Sequence, residues 1–445
     1  MISLLSIIHD IKQTEIGGNT MRFPMLEDVA QVQTRPLLFQ GLNRREMIED
    51  NELADGINLD TELLPAISPR QPMQLLRTLA APESFTIING KQVYVDGTNF
   101  LYDGVVKGTV TSGLKTMLDF NGNVLIFPDK KYYDYIDGVF GTFEAPDIDY
   151  ATIHYNRVFG IKGNDIRASK VGDFKEWEDF SGTAMDSWAA DVYSPGDFTG
   201  ITSYQDHVVF FKRDQMYELY GYIPSQFKIV ESAKVGCIDN RSIAEIGGIL
   251  YFLSEAGVMT YSGGFPRPIS EKLNAQYVSG AAIGDGRKYY LNLNGEETFI
   301  FDTVMNTWMP YARGHIIQFG RLENDIYSLD SLGNLNLLEK GIEPVEWEVI
   351  TKDFDDGTFR KKSVKAIKLK VILELNSELE VYVKLDNRNW VLHKTIKQVD
   401  KFYSNKREVV TTIPLKRASN YQIKIVGRGK AIVYGEREFI VGSDK

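Results

Sequence analysis

The chain has 445 residues, 25% charged and 12% aromatic, with 23 Tyr, 24 Phe and 38 Gly, which gives room for two or three strand-rich domains and argues against disorder. A single cysteine, Cys237, excludes an internal disulfide and a cysteine-rich zinc site, and five scattered histidines form no HxxxH-type ligand pair. The net charge of −10 divides unevenly: residues 361–445 carry 19 Lys and Arg against 9 Asp and Glu, so the rest stands at −20 and would repel a phosphate backbone.

Residues 1–20 open on ISLLSIIHDI, too short to span a bilayer and preceded by no basic residue as a signal peptide requires. One reading is a short amphipathic helix. The other is that these residues are not native coding sequence and that Met21 is the start. Glu15-Ile16-Gly17-Gly18-Asn19-Thr20-Met21 is what a bacterial ribosome-binding site and start codon give when translated in frame. With no targeting or membrane segment left, synthesis in a cytoplasm is expected. Prolines and acidic residues then break every periodic run across 22–72, so residues 1–74 are expected to form an extended arm with one short strand or turn. Leu37, Leu38, Phe39, Leu63 and Leu64 give that arm apolar side chains to pack with.

From about residue 80 a hairpin recurs: NGKQVYVDGTNFLYDG (89–104), NGNVLIFPDKKYYDYIDG (121–138), YNRVFGIKGNDIRAS (155–169), QDHVVFFKRDQMYELYG (205–221), GGILYFLSEAGVMTYSGG (247–264), GRKYYLNLNGEETFIFD (286–302) and ENDIYSLDSLGNLNLLEKG (323–341). Each turn carries Asp, Asn or Gly, which tolerate positive φ. The equivalent apolar positions are Val93, Val124, Val158, Val208, Leu250, Tyr289 and Ile326, a spacing that averages about 39 residues. Paired strands at that period predict a β-propeller of six or seven blades over 75–345, because a lone blade cannot bury both of its faces. A β-sandwich or β-helix is the structural alternative. The longest step holds an insertion, DFKEWEDFSGTAMDSWAADVYSPGDF (173–198), whose Trp177 and Trp188 read either as a plug on one end of the propeller or as a protein-contact loop.

After about residue 346 the pattern changes to strict apolar–polar alternation, as in Val364, Ile367, Leu369 and Val371, then Leu379, Val381, Val383 and Leu385. That predicts a small antiparallel β-sandwich over 346–445 with one buried and one lysine-rich face. Lys365, Lys368 and Lys370 lie along one strand of it and are candidate protein-contact residues, with a merely solvated face as the plain alternative.

No residue pattern signals catalysis. There is no GxxxxGK[ST] or GxGxxG phosphate loop before a helix and no GxSxG elbow. Asp119-Phe120-Asn121-Gly122-Asn123 spaces oxygen donors like the start of a calcium loop but lacks the closing Glu, and a hairpin turn accounts for it. Cys237 reads as a small buried residue. Carboxylate pairs such as Asp147 with Asp149 leave a propeller glycosidase open only in principle. The expectation is an all-β protein, a propeller followed by a sandwich, with no catalytic residue, metal or cofactor.

Three segments carry a resemblance. FQGLNRREMIEDNELADGINLDTELLPAISPRQP (39–72) resembles the opening arm of bacteriophage propeller proteins. DIRASKVGDFKEWEDF (165–180) with FTGITSYQDHVVFFKRDQMYELYG (198–221) resembles their middle blades, and VGCIDNRSIAEIGGILYFLSEAGVMTYSGG (235–264) a further one. The similarity spans roughly 39–345 and is looser beyond. It implies the tail-hub, or packaged-DNA stabilisation, class: virion proteins around the tail axis, made in the bacterial host cytoplasm and present in several copies. The partners so implied are neighbouring tail, portal or connector proteins and further copies of the chain, with nucleic acid adjacent but not specifically bound. A module at the tail tip that recognises host-surface carbohydrate or protein is the alternative.

Overall fold

The computed structural model describes residues 31–357, 361–398, 406–413 and 417–441. Both readings of residues 1–20, the question of Met21, and the side chain of Lys365 lie outside the described residues.

Seven four-stranded antiparallel sheets follow one another along the chain. They are blades 1 to 7, at residues 82–109, 116–142, 150–191, 198–233, 244–268, 280–313 and 316–337, the last completed by the strand Gln74–Thr78. The first strand of each blade lines the centre. Ile316–Leu322 of blade 7 packs against Pro82–Ile88 of blade 1 and closes the ring. The chain is an all-β protein built on a seven-bladed propeller, and the only helical elements among the described residues are three 3-10 turns.

Local sequence explains the blades. The first turn of blades 1 and 2 is Asn-Gly with both residues at positive φ, Asn89 (49°) with Gly90 (69°) and Asn121 (47°) with Gly122 (86°), as a two-residue hairpin of this hand requires. Blade 3 uses Tyr155 (47°) and Asn156 (55°), where a bulky residue costs about 1–2 kcal/mol in that conformation. Second strands are apolar on both faces because each blade is covered twice. In HVVFFK (207–212), Val208 and Phe210 enter the gap towards blade 3, while Val209 and Phe211 enter the gap towards blade 5. Each of the seven gaps holds one such apolar cluster. The seven equivalent positions from Val93 to Ile326 all lie on second strands and are buried.

The expectation of an extended N-terminal arm is corrected here. Gln31–Leu37 pairs along Ala431–Val441, from Gln31 opposite Val441 to Leu37 opposite Gly435. Leu53–Ile57 pairs with Glu346–Thr351, and Gln74–Thr78 with Asn334–Leu337. These strands are short and their partners lie far along the chain, so local periodicity does not show them. Pro36 fits because Gln31–Leu37 is an edge strand, where a missing N–H is tolerated.

The second part of the fold therefore draws on both ends of the chain. One sheet runs Gln31–Leu37, Ala431–Val441, Lys362–Glu374, Lys406–Ile413, with Arg417–Ala418 beside Lys362–Glu374. The other runs Leu53–Ile57, Glu346–Thr351, Tyr421–Arg428, Ser377–Leu385, Val391–Gln398. A single core that includes Leu37, Trp347, Leu369, Leu379, Ile423 and Val433 joins the two sheets. This two-sheet module is not contained in 346–445 alone.

Candidate functional site: the channel and the arm seam

The first strands enclose a central cavity of about 240 Å³, bordered by Thr86, Thr116, Asn240, Arg241, Gln318 and neighbouring apolar side chains. Hydrogen bonds run from blade to blade around it. Phe85 N donates to Gln318 Oε1 (2.7 Å), Lys115 N to Ser84 Oγ (2.7 Å), and Ser203 N to Thr152 Oγ1 (3.2 Å). Blade 5 has a first strand of three residues, Ala244–Ile246, and the 3-10 turn Asn240–Ser242 takes the place of the missing length.

That turn is a bridge. Asp239 caps it, accepting from Arg241 N (3.1 Å), and also accepts from Gly280 N of blade 6 (3.1 Å). Asn240 Oδ1 accepts from Ile201 N of blade 4 (3.0 Å). Arg241 donates to both Asp239 oxygens (3.0 and 2.6 Å) and across to Ile317 O of blade 7 (3.1 Å). Among the described residues, the charged side chains on the cavity wall are Lys115 and Arg241. Of this segment the sequence points to Cys237 alone; Asp at a cap position is a common start signal, but nothing in the sequence marks Arg241. Cys237 itself is fully buried, its Sγ donates to Asp239 O (3.2 Å), and burial pushes its pKa up to about 12. Asn121 and Gly122 form a hairpin turn, and Asp119 Oδ1 accepts from Tyr135 Oη (2.9 Å), so DFNGN serves as a turn. Among the described residues no group of three His, Cys, Asp or Glu side chains is placed to hold a metal ion.

The arm seam is rich in ion pairs. Between its strands the arm lies along Thr307–Arg313, the outer strand of blade 6. Leu42 N donates to Trp308 O (2.8 Å) and Leu59 N to Pro310 O (3.0 Å). Arg44 grips Glu297 (2.7 and 3.3 Å) and Asp55 (2.6 Å). Thr61 Oγ1 donates to Asp302 (2.8 Å), and Lys288 pairs with Asp60 and Glu62 (2.8 Å each). Gly41, at φ 113°, is needed because a Cβ there would fall 1.7 Å from Thr307 Oγ1. Burial disfavours the Lys288 charge, but Asp60 and Glu62 outweigh it and hold the ammonium above its usual range. Beside them, burial and the Asp60 carboxylate raise Glu339 above the ordinary range.

The residues singled out from sequence are not gathered into one site. Trp177 is 6% exposed, sits in the gap between blades 2 and 3, and donates from Nε1 to Phe174 O (2.7 Å). Trp188 begins the outer strand of blade 3 and packs edge-on to Phe227 of blade 4 (5.1 Å). The two rings therefore fill different gaps, and Trp177 offers no surface to a partner; the exposed large hydrophobic residues of this insertion are Phe180, Met185 and Tyr193. Lys368 pairs with Glu436 (3.0 Å) and Glu438 (2.6 Å) of the neighbouring strand, and Lys370 lies over the Tyr434 ring (5.5 Å). Both sit on an inner strand of their sheet, so the Lys368 charge is offset at home. The basic residues at the open edge of the module are others.

No family model and no curated protein sequence matches the chain. Solved structures with a similar shape include BamB from Moraxella catarrhalis, 12% identical, covering 64% of this chain and 96% of that one at a TM-score of 0.41. The extracellular domain of the putative hybrid two component system BT4673 from B. thetaiotaomicron is 11% identical, with coverage of 66% and 42% and a TM-score of 0.47. The WD40 β-propeller domain of Doa1 is 9% identical, with coverage of 60% and 97% and a TM-score of 0.41. Such likeness concerns the fold alone.

Proposed function

We propose that this protein is a non-enzymatic structural component of a phage or prophage tail or neck, assembled around the tail axis through protein–protein contacts. The observation that carries the reading is the arm seam. Hydrogen bonds and ion pairs along residues 41–70 weld the propeller and the two-sheet module into one block. A blade packed on both faces resists deformation, and a block with an acidic body and a basic module presents surfaces to neighbours rather than a substrate cleft. The resemblance of residues 39–72, 165–180, 198–221 and 235–264 to tail-hub proteins supports the same reading. Mass spectrometry of purified particles from the native host, together with disruption of the gene, tests it. The chain should be present in the particles, and disruption should yield tail-defective ones; absence from intact particles would overturn the proposal.

A second reading, recognition of host-surface carbohydrate or protein, has one observation in its favour. Tyr155 and Tyr222 stand 5.0 Å apart and are 47% and 62% exposed on one propeller face. Binding of purified protein to host cells or glycans, lost in Tyr155→Ala/Tyr222→Ala, would support it.

A further inference from the structure

We infer that the open edge of the two-sheet module in one copy docks on the face of blades 2 and 3 in the next copy, giving a head-to-tail assembly. The inference rests on the assembly reading above and names its interface.

The module has a near and a far side. Its near edges are the arm strands, and Leu53–Ile57 lies against the outer strand of blade 6. Its far edges are Val391–Gln398 and Lys406–Ile413, which carry no further strand among the described residues. Val391, Leu392 and Val410 on these edges are 54%, 47% and 66% exposed. Unpaired edges bearing aliphatic side chains are contact-prone. The described residues 384–398, 406–413 and 417 carry seven Lys and Arg against two Asp and Glu, a net of +5. Arg388 and Lys394 are exposed at this edge.

The acceptor has the opposite character. Residues 134–197 hold 13 Asp and Glu against five Lys and Arg, a net of −8. They form the outer half of blade 2 and all of blade 3. On one propeller face this region exposes Ile136 (74%), Phe180 (59%) and Met185 (50%) beside exposed Asp137 and Glu178. Contacts at the turns hold these loops together: the Ile136 side chain lies over Gly122, Asn121 Nδ2 donates to Asn156 Oδ1 (3.0 Å), and Gly172 N donates to Asn156 O (2.8 Å). An apolar centre with an acidic surround thus faces an apolar edge with a basic surround, the anatomy of a protein interface.

Position excludes pairing within one copy. The module is fixed to blade 6, and blades 2 and 3 are each three steps away around the seven-bladed ring, as far as the ring allows. The module's attachment and the acceptor therefore lie on opposite sides of the ring. Two different surfaces used in this way form a heterologous contact, which propagates from copy to copy.

Sedimentation velocity on the full chain tests this at about 0.1 M and about 1 M salt, where charges are screened beyond about 10 Å and about 3 Å. The wild-type chain should self-associate at the lower salt and weaken at least about tenfold at the higher. The acceptor variant Asp137→Lys/Glu178→Lys and the donor variant Arg388→Glu/Lys394→Glu should each remain monomeric. An equimolar mixture of the two should regain association, because each copy's reversed surface then meets its complement, and recovery also shows that both variants fold. A wild-type monomer at low salt, indifference to either reversal, or a mixture that stays monomeric would overturn the inference. Presence in purified particles is a separate readout, so failure of the interface and failure of the virion assignment can be told apart.

Discussion

Arg437 offers a sharp test of how the two ends of the chain hold each other. Its guanidinium is 1% exposed, lies 3.7 Å over the Phe354 ring, and donates to Asp356 Oδ1 (2.7 Å) and Asp50 Oδ2 (2.8 Å). Asp50 belongs to the arm, and Arg437 to the strand Ala431–Val441. In Arg437→Met, Asp50 still has Lys352 (2.9 Å) and Arg35 (3.4 Å) and is 41% exposed, so it loses little. Asp356 is different: its side chain is 0% exposed, and the buried carboxylate would lose the guanidinium that offsets its charge. Removing one partner of a buried pair costs about 3–5 kcal/mol. Total stabilities run to about 5–15 kcal/mol, so the loss is large. At about 2–4 °C per kcal/mol the melting temperature should fall by about 10 °C. Differential scanning calorimetry at neutral pH measures it. The double variant Arg437→Met/Asp356→Asn should recover more than half of the loss, because the buried carboxylate that lost its guanidinium is then neutral. A single variant that loses under about 1 kcal/mol, or a double variant no better than the single, would refute the reasoning.

Three further outcomes follow from the same contacts. Glu339 is held above the usual carboxylate range by burial and by Asp60, so folding favours its protonated form. Its contribution is complete below an unfolded pKa of about 4.3 and is lost as pH rises through the folded pKa. Glu339→Gln should therefore melt higher than wild type at pH 8, with the advantage gone near pH 4, as followed by circular dichroism. Gly41→Ala places a Cβ against Thr307 at φ 113°, so the arm must leave blade 6; a loss of about 2 kcal/mol or more and faster proteolysis between residues 38 and 72 are expected. Trp177→Ala should cost about 3–5 kcal/mol by opening the gap between blades 2 and 3. It should leave self-association of the folded protein unchanged at equal ionic strength, since the ring is buried; weakened association at full stability would contradict that placement.

The propeller was legible because its signal is local. Turns such as Asn89-Gly90 and Asn121-Gly122, followed by runs like VYV and VLIF, sit within one hairpin, and Val93, Val124, Val158, Val208, Leu250, Tyr289 and Ile326 mark the same strand of seven blades. The arm was not, because Gln31–Leu37, Leu53–Ile57 and Gln74–Thr78 are specified by partners at the other end of the chain. Trp177 and Trp188 read as an end plug or a contact loop because the residues around them are polar, yet each ring turns into a gap between blades. Lys368 looked available because sequence shows a lysine stripe but not Glu436 and Glu438 on the adjacent strand. Arg241 was missed for the opposite reason: a single charged residue in a loop has no periodic signature, and only the ring brings Ile317 within its reach.

The strand Gln74–Thr78 is made early in synthesis, yet the blade it completes is made some 240 residues later. The module has the same property, with Gln31–Leu37 waiting for Ala431–Val441. The ring cannot be completed before residue 337 has been made, nor the module before residue 441, and such distant pairing is slow to form. A chain broken off before residue 316 would have an open ring and a bare module edge. Closure of the ring thus reports synthesis as far as residue 337 and closure of the module synthesis as far as residue 441, so the fold itself separates chains that reach those points from shorter ones.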